Sequence, residues 1–154
     1  MGDDGARLAR IEARLRVLED EREILATLSA YGHAIDYGDE RAFLDCWSET
    51  AVLRWPWRAP IEGRAAIAAA FRAHTHAPEA YHKHMLMEPR ITVAGDAATA
   101  DSYYARMDRD DEGRPVLRSF GRYRDRLGRG PDGRWRFVER IAENEAHIAP
   151  PRKG

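Results

Sequence analysis

EREILATLSAYGHAIDYGDERAFLDCW, residues 21–47, decides how the chain is read. Ile24, Leu25, Leu28, Tyr31 and Ile35 recur at steps of three and four, the apolar stripe of an amphipathic helix. Asp36 falls on or beside that stripe, five residues after Tyr31. A carboxylate there must be paired, hydrogen-bonded or partly hydrated, because burying it alone costs roughly several kcal/mol. Gly38 ends the helix, and Asp39 opens a second amphipathic turn carrying Phe43, Leu44 and Trp47. A tyrosine and an acid are thereby set near the floor of whatever this helix packs against.

The bulk composition narrows the class. A chain of 154 residues is most simply one domain with a real core. A net charge of −1 gives no global basic field for nucleic acid. The single cysteine, Cys46, rules out a disulfide within the chain and reads as a small core residue. The start, MGDDGARLAR, lacks the apolar core of a signal peptide. No apolar run approaches the ~20 residues of a membrane span. A soluble, cytoplasmic protein without membrane or nucleic-acid partners is expected.

Upstream, ARLARIEARLRVLED (6–20) spaces Leu8, Ile11, Leu15 and Leu18 by three and four. It is read as a helical extension over residues 1–20, short for a coiled coil and able to pack on its own domain or on a partner subunit, running into a domain over 21–147. Residues 148–154 are read as a flexible tail. Downstream, Thr50–Ile61 is β-branched and aromatic, and Pro56 and Pro60 confine it to an edge or a broken hairpin. Ala65, Ile67, Ala68 and Phe71 then predict a third helix.

After Pro78 the period falls to two. Strands are expected over Tyr81–Val93, Ala97–Met107, Pro115–Leu127 and Trp135–Ala146, separated by turn chemistry at Gly95-Asp96, around Gly113 and around Pro131. In the third run Arg118, Arg122, Arg124 and Arg126 share a face with Val116 and Phe120, which suggests solvent or a subunit contact. Asp125, Asp132 and Glu139 interleave with the arginines of residues 114–140, so a solvated face or subunit interface is expected there rather than nucleic-acid binding. Helices followed by a meander of long strands predict an α+β fold, with helices packed on one face of a curved, mainly antiparallel sheet. Such a cone leaves a cavity suited to an apolar small molecule.

YGHAIDYGDERAFLDCW, HKHMLMEPRITVAGDAATADSYY and GRYRDRL with DGRWRFVERIAE resemble the SnoaL-like branch of the nuclear-transport-factor-2-like (NTF2-like) superfamily. The resemblance covers roughly residues 20–146. It implies a cone fold and a homo-oligomer, dimer or trimer; the chemistry of the candidate residues requires no metal or organic cofactor. It also implies either a dehydratase-like lyase or isomerase acting on an apolar cyclic small molecule such as a polyketide, steroid or terpenoid, or a non-catalytic small-molecule-binding or oligomerisation module of the same fold. In members with scytalone- or bile-acid-dehydratase-like sites, a tyrosine and an aspartate five apart on the first helix meet a histidine from the first long strand. Here those positions are Tyr31, Asp36 and His84. The sequence departs from the bile-acid pattern where Arg106 stands for an expected acid and where Asn144 falls near an expected basic residue.

An Asp–His pair makes a sensible base, the carboxylate fixing the tautomer and stabilising the imidazolium. Tyr31 is placed to polarise a substrate oxygen. Trp55, Trp57, Phe71, Met87, Tyr103 and Tyr123 are candidate pocket residues, each also able to serve as core. His33, two residues from Tyr31, faces elsewhere on the helix. A competing reading is metallic: His82, His84, Glu88 and Gly95 match the spacing of the first cupin metal motif. The second cupin motif fails, since Arg136 stands where its histidine belongs, and no metal ligand is assigned.

Overall fold

The computed structural model describes residues 2–148; the tail beyond Ile148 lies outside the described residues. Helix α1 runs unbroken over Gly2–Tyr37, followed by α2 Glu40–Asp45, β1 Trp47–Arg54, β2 Ile61–Glu62, α3 Arg64–Arg72, β3 His82–Ala94, β4 Ala97–Arg109, β5 Pro115–Arg129 and β6 Trp135–His147. The fold is α+β. Six strands lie in the order β2-β1-β6-β5-β4-β3. Every neighbouring pair is antiparallel except β1 and β6.

The punctuation expected at 38–39 is present. Gly38 has a φ of +75, which a glycine adopts without steric penalty. The Asp39 side chain accepts from Ala42 N and caps α2. Trp47 differs from expectation: it opens β1 rather than closing the second helix. The prolines at 56 and 60 sit in the loop of the broken β1–β2 hairpin, so that the edge position falls to β2.

Ile24, Leu28, Tyr31 and Ile35 of α1 are buried on the sheet, whereas Leu25 points outward. Phe43 of α2, Ile67 and Phe71 of α3, and Trp47, Trp135 and Phe137 of the sheet complete the core. Cys46 is buried among them, its thiol 3.3 Å from Ala42 O, and burial pushes the thiol up to about 11. It is a packing residue, as expected. Four residues before Asp36, α1 lies directly on β3. A Cβ at Gly32 would stand 2.9 Å from His84 O.

That contact sets the height of the helix over the strand. Gly32→Ala is expected to destabilise the protein by about 1–3 kcal/mol through overpacking. Gly5→Ala, where a Cβ meets nothing, should stabilise by about 0.5–1 kcal/mol through helix propensity. Urea unfolding of both variants beside the parent checks the pair; equal effects would contradict the close approach.

Candidate active site

Asp36 is the last buried residue of α1 and meets β3 at the open edge of the sheet. His84 Nδ1 lies 2.6 Å from Asp36 Oδ1, and His84 N donates to Asp36 Oδ2 at 3.1 Å. The carboxylate thus takes both the side chain and the edge amide of one residue. A carboxylate can only accept here, so Nδ1 donates its proton, and in the neutral tautomer this leaves Nε2 as the acceptor. Asp36 stands behind the ring. His84 lines a cavity of about 210 Å³, together with Tyr31 and Trp55.

Tyr31 sits on the cavity floor, its ring 6.5 Å from that of His84 and nearly perpendicular to it. Its hydroxyl accepts from Trp55 Nε1 at 3.2 Å, which leaves the hydroxyl proton available to a ligand. Burial pushes the phenol up, so Tyr31 remains a donor at neutral pH. Behind it, the Arg140 guanidinium makes two bonds to Asp125, at 2.8 and 2.7 Å. It lies 4.3 Å from the Tyr31 ring centre, 4.1 Å from that of Tyr123 and 4.3 Å from that of Phe137. Arg140 is wholly buried, contrary to the expectation that arginines of this region face solvent or a partner.

Irregularities in strand pairing decide which side chains face inward. Between β4 and β5 the register skips Arg118, so Arg118 and Ser119 both reach the cavity. Between β5 and β6 it skips Val138 and later Glu145. The first shift turns Arg140, Ala142 and Asn144 inward where Glu139 would otherwise point. Such bulges re-aim side chains.

The six candidate pocket residues divide. Trp55, Trp57 and Tyr123 line the cavity, Trp57 at its exposed rim. Phe71 is core, packed on Phe43 at 4.6 Å between ring centres. Tyr103 lies on the outer face and is 52% exposed, with Met87 as its cross-strand partner; neither lines the cavity. Sequence reasoning missed Tyr104, whose hydroxyl donates to Asn144 at 2.8 Å and whose ring stacks on Tyr123. It also missed His74, Arg58, Arg118, Ser119 and His147 as cavity residues. The inward parity of Tyr104 was available in the small residues Ala98, Ala100 and Ser102 two apart before it.

His82 faces inward one step before His84 and is buried. Its Nε2 is 3.8 Å from Asp36 Oδ1. Asp36, His82 and His84 are close enough to hold an ion, their ligand atoms within 4.8 Å of one another. The 2.6 Å contact in that group is a hydrogen-bond distance, shorter than the roughly 3.3 Å two ligands keep around a tetrahedral zinc. Glu88, the acid of the cupin-like spacing, has a φ of +49 and lies with Arg90 and Tyr103 on the outer face.

His74 and His82 are pushed down to about 4, first by burial and then by neighbouring imidazoles and Arg106. Unfolded, both take up protons near the ordinary value of about 6.5. Between about pH 6.5 and 4 the unfolded chain therefore binds more protons, and stability falls as pH drops through that window. Denaturant unfolding across this range should show the loss, and His82→Gln should flatten it. An unchanged slope in that variant would contradict the assignment.

A SnoaL-like domain model matches residues 16–141. An NTF2-like protein with a cystatin-like fold from Novosphingobium aromaticivorans is 33% identical, with a TM-score of 0.77 over 87% of each chain. A single-residue variant of Rv3472, a protein of unknown function from Mycobacterium tuberculosis, is 25% identical, with a TM-score of 0.75 over 89% of this chain and 83% of that one. ActVI-ORFA from Streptomyces coelicolor is 22% identical, with a TM-score of 0.71 over 81% of this chain and 96% of that one; that likeness is one of fold. No curated protein matches. No helix among the described residues is long and apolar enough to cross a membrane. With the family match running from the middle of α1 into β6 and the cone fold shared, the chain belongs to the SnoaL-like family of the NTF2-like superfamily.

Proposed function

We propose that this protein is a cofactor-independent lyase or isomerase that removes a proton beside the carbonyl of a small cyclic compound. The observation that carries the reading is the 2.6 Å Asp36–His84 contact behind an imidazole that opens on a cavity floored by Tyr31. His84 Nε2 takes the α-proton, Asp36 stabilises the imidazolium, and the Tyr31 hydroxyl donates to the carbonyl oxygen as enolate charge develops. In a dehydration the β C–O bond then breaks, and the imidazolium returns its proton to the departing hydroxide, which leaves as water. In an isomerisation the proton returns to another carbon. The aromatic floor of the cavity, with Tyr31, Tyr104 and Tyr123, suits a ring system of polyketide, steroid or terpenoid type.

The test uses 3-hydroxy-1-tetralone, which loses water to give fluorescent 1-naphthol, beside 1-tetralone in D2O, whose α-protons exchange visibly by NMR. Acceleration of either reaction by the protein supports the reading. Neither being accelerated, while both compounds bind, would sink it.

A further inference from the structure

We propose that the substrate carries a carboxylate, held at the cavity mouth by Arg106 and Arg118; this rests on the same cavity being the substrate site. His84, Arg106, Ser119 and His147 are successive Cα partners across β3, β4, β5 and β6, and all line the cavity. The row directly beside the base is therefore cationic and polar. One step deeper come Tyr104 and Asn144, then Tyr123 and Ala142. The wall grades from charged at the rim to aromatic at the floor.

The two guanidiniums are held ready. Asp108 accepts from Arg106 Nε at 2.9 Å through one oxygen and from Arg118 Nε at 2.9 Å through the other. One acid serves two arginines, so the trio keeps a net positive charge. The Nε contacts leave terminal nitrogens for a ligand, save that Arg118 Nη1 donates to Ile148 O at 3.2 Å. The Arg118 side chain is only 15% exposed, and it reaches the cavity only because the strand bulges there. A planar guanidinium pair at fixed spacing suits a carboxylate. A ring acid seated so would lay its rings on Tyr123 and Tyr104 and bring a ring carbonyl towards Tyr31 and His84.

The probes are 2-naphthoate and 2-naphthamide, matched in shape and differing in charge, titrated calorimetrically. Naphthoate is expected to bind about tenfold tighter, with an affinity that falls as salt rises while that of the amide does not. Arg106→Gln and Arg118→Gln should each erase most of the preference. Equal affinities, no naphthoate binding at millimolar concentration, or a preference untouched by both substitutions would overturn the subsite. The preference is read from binding alone and needs no turnover. A protein that discriminates yet catalyses nothing therefore loses only the enzymatic reading, and one that dehydrates neutral ketones without discriminating loses only the subsite.

A separate observation concerns α1. Residues 4–19 are exposed throughout, and Leu8, Ile11, Leu15 and Leu18 are each more than half exposed. Their spacing is that of heptad positions a and d, continued by Arg22 and Leu25. Flanking positions carry Arg7 and Arg14 on the g side and Glu12 and Glu19 on the e side. In a parallel pair, Arg7 and Arg14 meet Glu12 and Glu19 of a second copy; antiparallel, like charges would face each other. We infer that this helix joins a second copy of the chain in parallel. Light scattering on the full chain should give a multimer, reduced in mass by Ile11→Glu with Leu18→Glu. Arg14→Glu should weaken it and Arg14→Glu with Glu19→Arg restore it. A monomer at tens of micromolar, a mass unmoved by the paired glutamates, or failure of the charge swap to restore it would overturn the inference.

Discussion

Replacing His84 by alanine is expected to lower turnover about 10³-fold while the protein stays folded. Only the ring is lost: the backbone N–H of residue 84 still donates to Asp36 at the positions that now measure 3.1 and 3.3 Å, so the buried acid is not stranded. Asp36→Asn should leave the ring in place and still lower turnover about 10²-fold or more, because an amide neither fixes the tautomer nor stabilises the imidazolium. Measured on 3-hydroxy-1-tetralone with circular dichroism as the folding control, the pair separates chemistry from structure. A His84→Ala variant that turns over normally would remove the base.

The largest expected effect on stability lies deeper. Arg140→Met should cost about 3–5 kcal/mol, because it leaves Asp125 buried and unpaired. In a chain of this size that lowers Tm by roughly 10 °C. Arg140→Met with Asp125→Leu should recover most of the loss, since replacing both members removes the charge that needs a partner. The single variant should also depress turnover, as the guanidinium packs against the ring of Tyr31. Thermal unfolding of the two variants checks this; a double variant no better than the single would show that the pair contributes by more than mutual neutralisation.

Much of the frame was legible because it rests on local periodicity. The three-and-four spacing through Tyr31 and Ile35, the turn at Gly38-Asp39 and the alternation of the later strands each report a conformation that short stretches specify themselves. That Tyr31, Asp36 and His84 lie close together was expected from the same stretches and the family resemblance. The rest depended on long-range pairing. Skipped residues at Arg118, Val138 and Glu145 change strand parity, and nothing in the alternation announces them. For that reason Arg140 and Arg118 read as solvent-facing, although one is core and the other cavity wall. Tyr103 and Tyr104 are adjacent, and only the inward one serves the cavity. Phe71 sits on the inner face of α3, which packs on α2 rather than on the cavity. The apolar stripe of residues 8–18 was read correctly as helix, yet helical periodicity alone does not say what covers it.

The most direct test of the Asp36–His84 base is the long-range 1H–15N spectrum of the neutral His84 imidazole in the full chain, assigned through the His84→Ala variant. The geometry predicts a proton on Nδ1 and a bare, pyridine-type Nε2 facing the cavity. A ring that carries its proton on Nε2 would have no base to offer the substrate and would contradict the account.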